Sequence, residues 1–396
     1  MDKKKILFIN GHLNAGGVER SLVDVLRHFD YGKYEVDLLL LEGTGDYLEE
    51  IPQNVNVIMY SLNDAGGPLL STCWKNLVHG RWVLLFYRFL MLLSSKRGNE
   101  VMRWARPMFC NGNRRYNVVI GYRPNMATTF AAYTFHADRR LAWWHHGEMN
   151  ICGRHRIELA HEYERMDAVI AVSESSAQLV KETFPDIKEK VRVIPNMLCV
   201  EEIREKAQSE VINMSSACCN IISVGRMSPE KNMAFCVDVA WELRERMFSF
   251  HWYMVGDGVD MELVKRKIEK NNLTDWFTIT GNLPNPYPYI QSADLLFHPS
   301  LVESQGLTVL EAMALGTPVV VVESAGPKEF IENGVNGIMI VAEVGVAAST
   351  IEKLCREKIL LQDMVENGRN TIAVYESSKI MKQIYIMLDV ETPIAA

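Results

Sequence analysis

No apolar run in these 396 residues is long enough to cross a bilayer. The longest, Trp82–Leu93, holds twelve residues with Arg88 in its middle, against the roughly 20 that a spanning helix needs. The eight cysteines (Cys73, Cys110, Cys152, Cys199, Cys218, Cys219, Cys236 and Cys355) contain no C-x-x-C pair, so neither a zinc site nor a disulfide framework is expected, and a reducing cytoplasm fits best. Net positive charge is lacking as well. Forty-two Lys plus Arg oppose 49 Asp plus Glu, a net charge of -7, which is not the footprint of a surface that tracks nucleic acid, and no nucleic-acid partner is expected. The opening Met1-Asp2-Lys3-Lys4-Lys5 precedes only Ile6–Ile9 before Asn10-Gly11, too short for a signal-peptide core, so the mature protein is expected to start here. Internal repeats and low-complexity tracts are absent.

What is there is a chain with 48% hydrophobic and 23% charged residues, sized for two or three domains. Short β-rich runs alternate with helical patterns throughout, which predicts an α/β chain with parallel sheets covered by helices on both faces. In the first half the expected strands are Ile6–Ile9, Val36–Leu41, Val55–Met59, Val118–Gly121, Leu141–Trp144, Ala168–Val172 and Val191–Ile194. Val18, Leu22, Val25 and Phe29 form one stripe of a helical period. After Pro195-Asn196 and the acidic connector Glu201–Ser216, the pattern restarts with Asn220–Val224, Trp252–Val255, Phe277–Thr280, Asp294–His298, Val319–Val322 and Ile338–Val341. Two doubly wound Rossmann-like domains, 1–196 and 197–375, are therefore expected, followed by a terminal helix within 376–396. Loops at the carboxyl ends of the strands would face each other across a cleft, a geometry for two substrates.

Charge is uneven: residues 1–196 sum to +3 and 197–396 to -10. Within 66–117, nine basic residues (Lys75, Arg81, Arg88, Lys96, Arg97, Arg103, Arg106, Arg114, Arg115) meet one acid, Glu100, among Trp74, Trp82, Phe86, Phe89 and Trp104. Such a segment suits an anionic membrane face; a core helix with a solvated basic face is the plainer alternative.

Four constellations carry chemistry. In Ser300-Leu-Val-Glu-Ser-Gln-Gly-Leu-Thr-Val-Leu-Glu311, Glu303 lies in a turn after a strand, and a helix opening across Ser304, Gln305, Gly306 and Leu307 would offer unpaired amides to a phosphate. Glu311 could reach ribose hydroxyls; either glutamate could instead merely offset the helix dipole. In Val224-Gly-Arg-Met-Ser-Pro-Glu-Lys-Asn232, Ser228 and Pro229 read as N-cap and N1, placing Lys231 in a first helical turn where a cation is normally disfavoured. That placement makes sense if Arg226 and Lys231 jointly hold a diphosphate, an ion pair with Glu230 being the alternative. Gly11, Gly16 and Gly17 make a tight turn from the first strand, without the G-x-G-x-x-G order of a dinucleotide fingerprint. Trp143-Trp-His145-His146-Gly-Glu148 ends a strand, where one histidine could donate a hydrogen bond or shuttle a proton; no third ligand at helical spacing suggests a metal. Gly256-Asp257-Gly258 reads as a turn.

Taken together and in this order, G-G-V-E (16–19), W-W-H-H-G (143–147), S-V-G-R-M-S-P-E-K-N (223–232), V-G-D-G (255–258) and E-S-Q-G-L-T-V-L-E-A-M-A-L-G-T-P-V-V (303–320) resemble the family 4 glycosyltransferases of the GT-B fold, over nearly the whole chain. The resemblance implies a second domain that binds a nucleotide-activated sugar as substrate, UDP-linked, with no further cofactor and no tightly held metal. It also implies a closing helix that crosses back onto the first domain. Arg226 and Lys231 match the pair on the donor diphosphate, Gly16 and Gly17 the loop over it, Glu303 and Glu311 the two ends of E-x7-E, and one of His145 and His146 the active-site histidine. Ser304-Gln305 replaces the commoner G-F, and Ala325-Gly326-Pro327-Lys328-Glu329 replaces G-G-x-x-E. Transfer with retention is implied, and the basic segment points to a lipid-linked or cell-surface glycan acceptor at the inner face of the membrane. A nucleotide-sugar epimerase or hydrolase of the same fold, and a non-catalytic membrane-associated glycan or nucleotide binder, remain the rival readings.

Overall fold

The computed structural model describes residues 3–62, 74, 76–79, 81–108, 114–147 and 151–389. All thirteen expected strand segments form strands: β1 Lys4–Asn10, β2 Tyr34–Leu40, β3 Val55–Met59, β4 Arg115–Gly121, β5 His136–Trp144, β6 Ala168–Ala171, β7 Val191–Val193, β8 Cys219–Val224, β9 Phe250–Val255, β10 Phe277–Gly281, β11 Leu295–His298, β12 Val319–Val322 and β13 Ile338–Ile340. They make two sheets, in the orders β3-β2-β1-β4-β5-β6-β7 and β10-β9-β8-β11-β12-β13, parallel at every pairing. Covered on both faces, such strands lose the in-out alternation of an exposed sheet. β12 is Val-Val-Val-Val with all four side chains buried.

Two compact units result: Met1–Met197 with Ile380–Ala396, and Leu198–Lys379. Leu198 falls in the second because its amide donates to the Tyr375 carbonyl at 2.8 Å. The closing helix, Ser377–Leu388, buries Ile380, Met381, Ile384 and Leu388. Within the first unit its Tyr385 stacks on Tyr34 with ring centroids 5.5 Å apart, the Tyr385 hydroxyl accepts from the Asp30 amide at 2.7 Å, and Asp389 pairs with Lys4 at 2.6 Å.

In each sheet the strand order reverses direction once, between β1 and β4 and between β8 and β11. Loops leaving these neighbouring strands go to opposite faces and open a crevice, the usual ligand position in such sheets.

One expectation needs correction. No disulfide was expected, yet Cys219 and Cys355 are joined. They stand at the start of β8 and in the helix Val344–Arg356, 136 positions apart, and only tertiary packing brings them together. In the basic segment three of the cations have partners within the first unit. Arg106 donates to the carbonyls of Thr134 and Tyr133, Arg114 pairs with Glu35 and Asp37, and Arg115 pairs with Asp138. The helix Trp82–Arg97 buries Leu84, Tyr87, Leu90 and Ser94 and exposes Trp82, Phe89 and Leu92, with Lys96, Arg97 and Arg103 exposed nearby. Residues 66–73, 75, 80 and 109–113, with Cys73, Lys75 and Cys110, lie outside the described residues. Among the described residues no helix is long and apolar enough to cross a membrane.

Candidate active site

In the second unit, β8 delivers Gly225–Asn232 and β11 delivers Pro299–Gly306 to the crevice where these neighbouring strands part. The two loops are knitted together: the Leu301 amide donates to the Glu230 carbonyl at 2.9 Å, and the Ser300 hydroxyl reaches the same oxygen at 3.2 Å. At their junction Lys231 Nζ bonds Glu303 Oε1, and His298 Nε2 lies 2.8 Å from that same oxygen. An ionised carboxylate can only accept, so Nε2 carries the proton. Glu303 is buried. Burial pushes its carboxyl up, but the Lys231 ammonium and the His298 hydrogen bond more than reverse this and hold it at about 2. Both protein donors use Oε1, which leaves Oε2 to accept from a bound molecule.

Lys231 does not sit in a first α-helical turn, as the Ser228-Pro229 signal suggests. Pro229–Lys231 is a short 3-10 turn, and the left-handed Asn232 (φ 52) separates it from the helix Met233–Glu245. The helix dipole therefore raises no objection to a cation at this position, and Lys231 has a direct partner in Glu303. Glu230 instead accepts from the Ser228 hydroxyl at 2.6 Å, and Arg226 is exposed on the same loop.

The helix Leu307–Leu315 opens after Gly306, itself left-handed at φ 87. Val309 N–H is bonded back to Gly306 O at 3.0 Å, and the amides ahead of it have no intrahelical acceptor. Glu311 lies in the second turn, where the Tyr287 hydroxyl donates to its Oε1 at 3.0 Å. Gly256 and Gly258 have a packing reason beyond a turn. A Cβ on Gly256 would stand 1.9 Å from Gly225 O, and one on Gly258 2.3 Å from Met227 O, so only glycine lets this loop back the one bearing Arg226. A Cβ on Gly326 would likewise meet the Gln305 amide at 2.7 Å.

In the first unit, Gly16 and Gly17 lead into the helix Gly17–Arg27. Buried Glu19 pairs there with Arg123 at 2.8 Å and lies 3.8 Å from His12. His12 follows β1 and Arg123 follows β4, so this cluster marks the reversal point of the first sheet. The two histidines differ sharply. His145 is buried against Tyr122 at 4.8 Å; burial, then His146 and Arg123, push its imidazole down to about 3, and its Nε2 meets no partner. Packed this way it is a neutral core ring. His146 is half-buried at the strand end. Glu148 lies outside the described residues.

The structure thus brings Lys231 and Glu303 into contact, sets Arg226 on the same loop as Lys231, and gives Glu311 a tyrosine partner. Sequence reasoning missed His298, Tyr287, His12, Glu19 and Arg123. His298 was legible only as the last residue of a strand and Glu19 only as the end of G-G-V-E, and Tyr287, His12 and Arg123 carried no motif.

Two family models cover most of the chain: "Glycosyltransferase Family 4" over residues 15–202 and "Glycosyl transferases group 1" over 208–371. The chain belongs to the family 4 glycosyltransferases of the GT-B fold. Among its relatives, alpha-D-kanosaminyltransferase of Streptomyces kanamyceticus is 29% identical over 151 residues, 37% of this chain and 39% of that protein. Poly(ribitol-phosphate) alpha-N-acetylglucosaminyltransferase of Staphylococcus aureus is 24% identical over 222 residues, 55% and 43% respectively. The chain thus spans about four-tenths of the length of these curated relatives. Anabaena HepE, solved in complex with UDP-glucose, superposes with a TM-score of 0.70 at 18% identity, covering 97% of this chain and 99% of that one. At that identity the likeness establishes the shared GT-B fold.

Proposed function

We propose that this family 4 glycosyltransferase moves a sugar, with retention of anomeric configuration, from a UDP-linked donor to a lipid-linked or cell-surface glycan precursor. The observation that carries the reading is buried Glu303, held ionised through Oε1 by Lys231 and His298 at the mouth of β11. HepE's complex with UDP-glucose supports the choice of donor.

On this reading the donor diphosphate draws Lys231 and the exposed Arg226, a point charge and a planar fork, toward its oxygens. The amides of the first helical turn, Leu307 and Thr308, add partial positive charge from the helix end. Together these groups neutralise the leaving nucleoside diphosphate without a tightly held metal. Glu303 Oε2 accepts from a sugar hydroxyl and fixes the ring, while Glu311, steadied by Tyr287, receives the ribose. The first unit's candidates for a part in the reaction are Gly16 and Gly17 and one of His145 and His146. Retention follows from same-face attack: the acceptor oxygen bonds the anomeric carbon as the carbon–phosphate-oxygen bond breaks, and the departing phosphate oxygen takes the acceptor's proton.

The exposed Trp82, Phe89 and Leu92 with Lys96, Arg97 and Arg103 support peripheral contact with the anionic cytoplasmic face of a membrane, each cation contributing about 1 kcal/mol near such a surface.

The test is UDP release and lipid labelling from UDP-glucose and UDP-N-acetylglucosamine, with a bacterial lipid extract as acceptor. The parent protein is expected to label lipid, and Glu303→Gln to lose at least a hundredfold in rate. Equal rates in the two proteins refute the site. Free sugar in place of labelled lipid makes the protein a hydrolase.

A further inference from the structure

The first unit contains a cavity of about 660 Å³ at the reversal point between β1 and β4. Two guanidiniums, Arg88 and Arg123, line it, with His12 beside them and Glu42 as the carboxylate of the lining. Arg123 engages Glu19 and His12 through Nη1 alone, so its Nε and Nη2 remain available as donors. The inner side of the helix Trp82–Arg97 forms an apolar wall with Tyr87, Met91 and Leu92. Burial, reinforced by Glu42, pushes the Tyr87 phenol up to about 12, so it stays a neutral donor. Met91 and Leu92 both line the cavity and are exposed, at 42% and 49%. Phe89 is exposed on the same helix, so apolar surface runs from inside the cavity to the helix's outer face.

A pair of guanidiniums calls for an anion with several acceptor oxygens. A continuous apolar path from that point to the outside calls for hydrocarbon attached to it. We propose that this cavity binds a phosphate or diphosphate joined to a hydrocarbon chain, the phosphate on Arg88 and Arg123 and the chain leaving along Met91 and Leu92. Glu42 accepts from hydroxyls of a sugar carried on the same phosphate. This assigns a carrier chemistry to the acceptor and rests on the transferase reading above.

Isothermal titration calorimetry of the full chain with octyl phosphate, octyl β-glucoside and inorganic phosphate, amphiphiles below their micelle concentrations, tests the assignment. Octyl phosphate is expected to bind at least tenfold more tightly than either of the others. Arg88→Gln is expected to weaken it at least tenfold. Met91→Asp, which places a negative charge at the half-exposed wall where folding is not at stake, is expected to do the same. Affinities for octyl phosphate unchanged in both variants, or equal to those for octyl glucoside or for inorganic phosphate, overturn the assignment. UDP titrated into the parent protein reports the donor site separately. Failure of UDP to bind refutes the transferase reading, whereas failure of octyl phosphate with UDP still bound refutes the cavity assignment alone.

Discussion

Replacing Lys231 with methionine strips the main cation from a buried carboxylate. Glu303 is held at about 2 against an ordinary 4.5, with burial opposing the shift and Lys231 and His298 producing it. A difference of that size corresponds to about 3 kcal/mol of stability, in line with the ~3–5 kcal/mol lost when one partner of a buried pair is removed. Because the folded value is depressed, this stability is complete above 4.5 and disappears as pH falls toward 2. Lys231→Met is therefore expected to lower the melting temperature of the second unit at pH 7 by about 6–12 °C, at the ~2–4 °C per kcal/mol typical of a unit this size. The gap should narrow at pH 3, where the parent begins to lose the same stabilisation. Adding Glu303→Gln should restore most of the stability at pH 7, since no buried charge is then left alone. Calorimetric scans of the three proteins at both pH values decide the matter. A Lys231→Met melt equal to the parent's at pH 7, or a double variant no more stable than the single, refutes the coupling. Glu303→Gln is therefore a cleaner probe of the chemistry than truncation of Lys231.

His298 acts through Glu303 rather than on substrate. His298→Ala is expected to lower kcat about tenfold, within the ~1.5–3 kcal/mol of a hydrogen bond to a charged group, with KM for the donor nearly unchanged. His298→Gln should recover part of the loss; equal falls in both variants would mean a packing effect only. Gly256→Ala is expected to cost more than about 2 kcal/mol, because its Cβ would collide with Gly225 O and φ is 139°; a parent-like melting temperature counts against the close packing of the two loops. Buried Glu162 accepts from Asn99 and Thr129 at 2.8 and 2.6 Å, yet burial raises its carboxyl to about 7. A raised value contributes stability below 4.5 that is lost as pH rises through 7. Glu162→Gln should therefore melt higher than the parent at pH 8 and no higher at pH 4.5, checked by thermal scans at the two pH values.

Strand positions were legible because a parallel sheet covered on both faces leaves unbroken apolar runs, as in Val319–Val322, and each run formed a strand. Site residues were legible as types and not as partners. Lys231 and Glu303 stand 72 positions apart, and only the adjacency of β8 and β11 in the second sheet brings their loops together. His298 read as an ordinary strand end, and its hydrogen bond to Glu303 depends on the backbone turning back over five residues. The doubled histidine shows the limit of spacing most simply. Just past the end of β5 His145 is buried beside Tyr122 while the next residue, His146, is half-exposed, a difference that exists only once the strand end has its neighbours. Glycine composition marked Gly256 and Gly258 as a turn, while the backbone they press against became visible only in three dimensions.

The most direct test is a crystal structure of the protein bound to UDP-glucose. The account predicts Lys231 Nζ within about 3 Å of a diphosphate oxygen, Glu303 still bonded to His298 through Oε1, and its Oε2 on a hydroxyl of the sugar. A diphosphate bound elsewhere, with Lys231 still locked on Glu303, contradicts it.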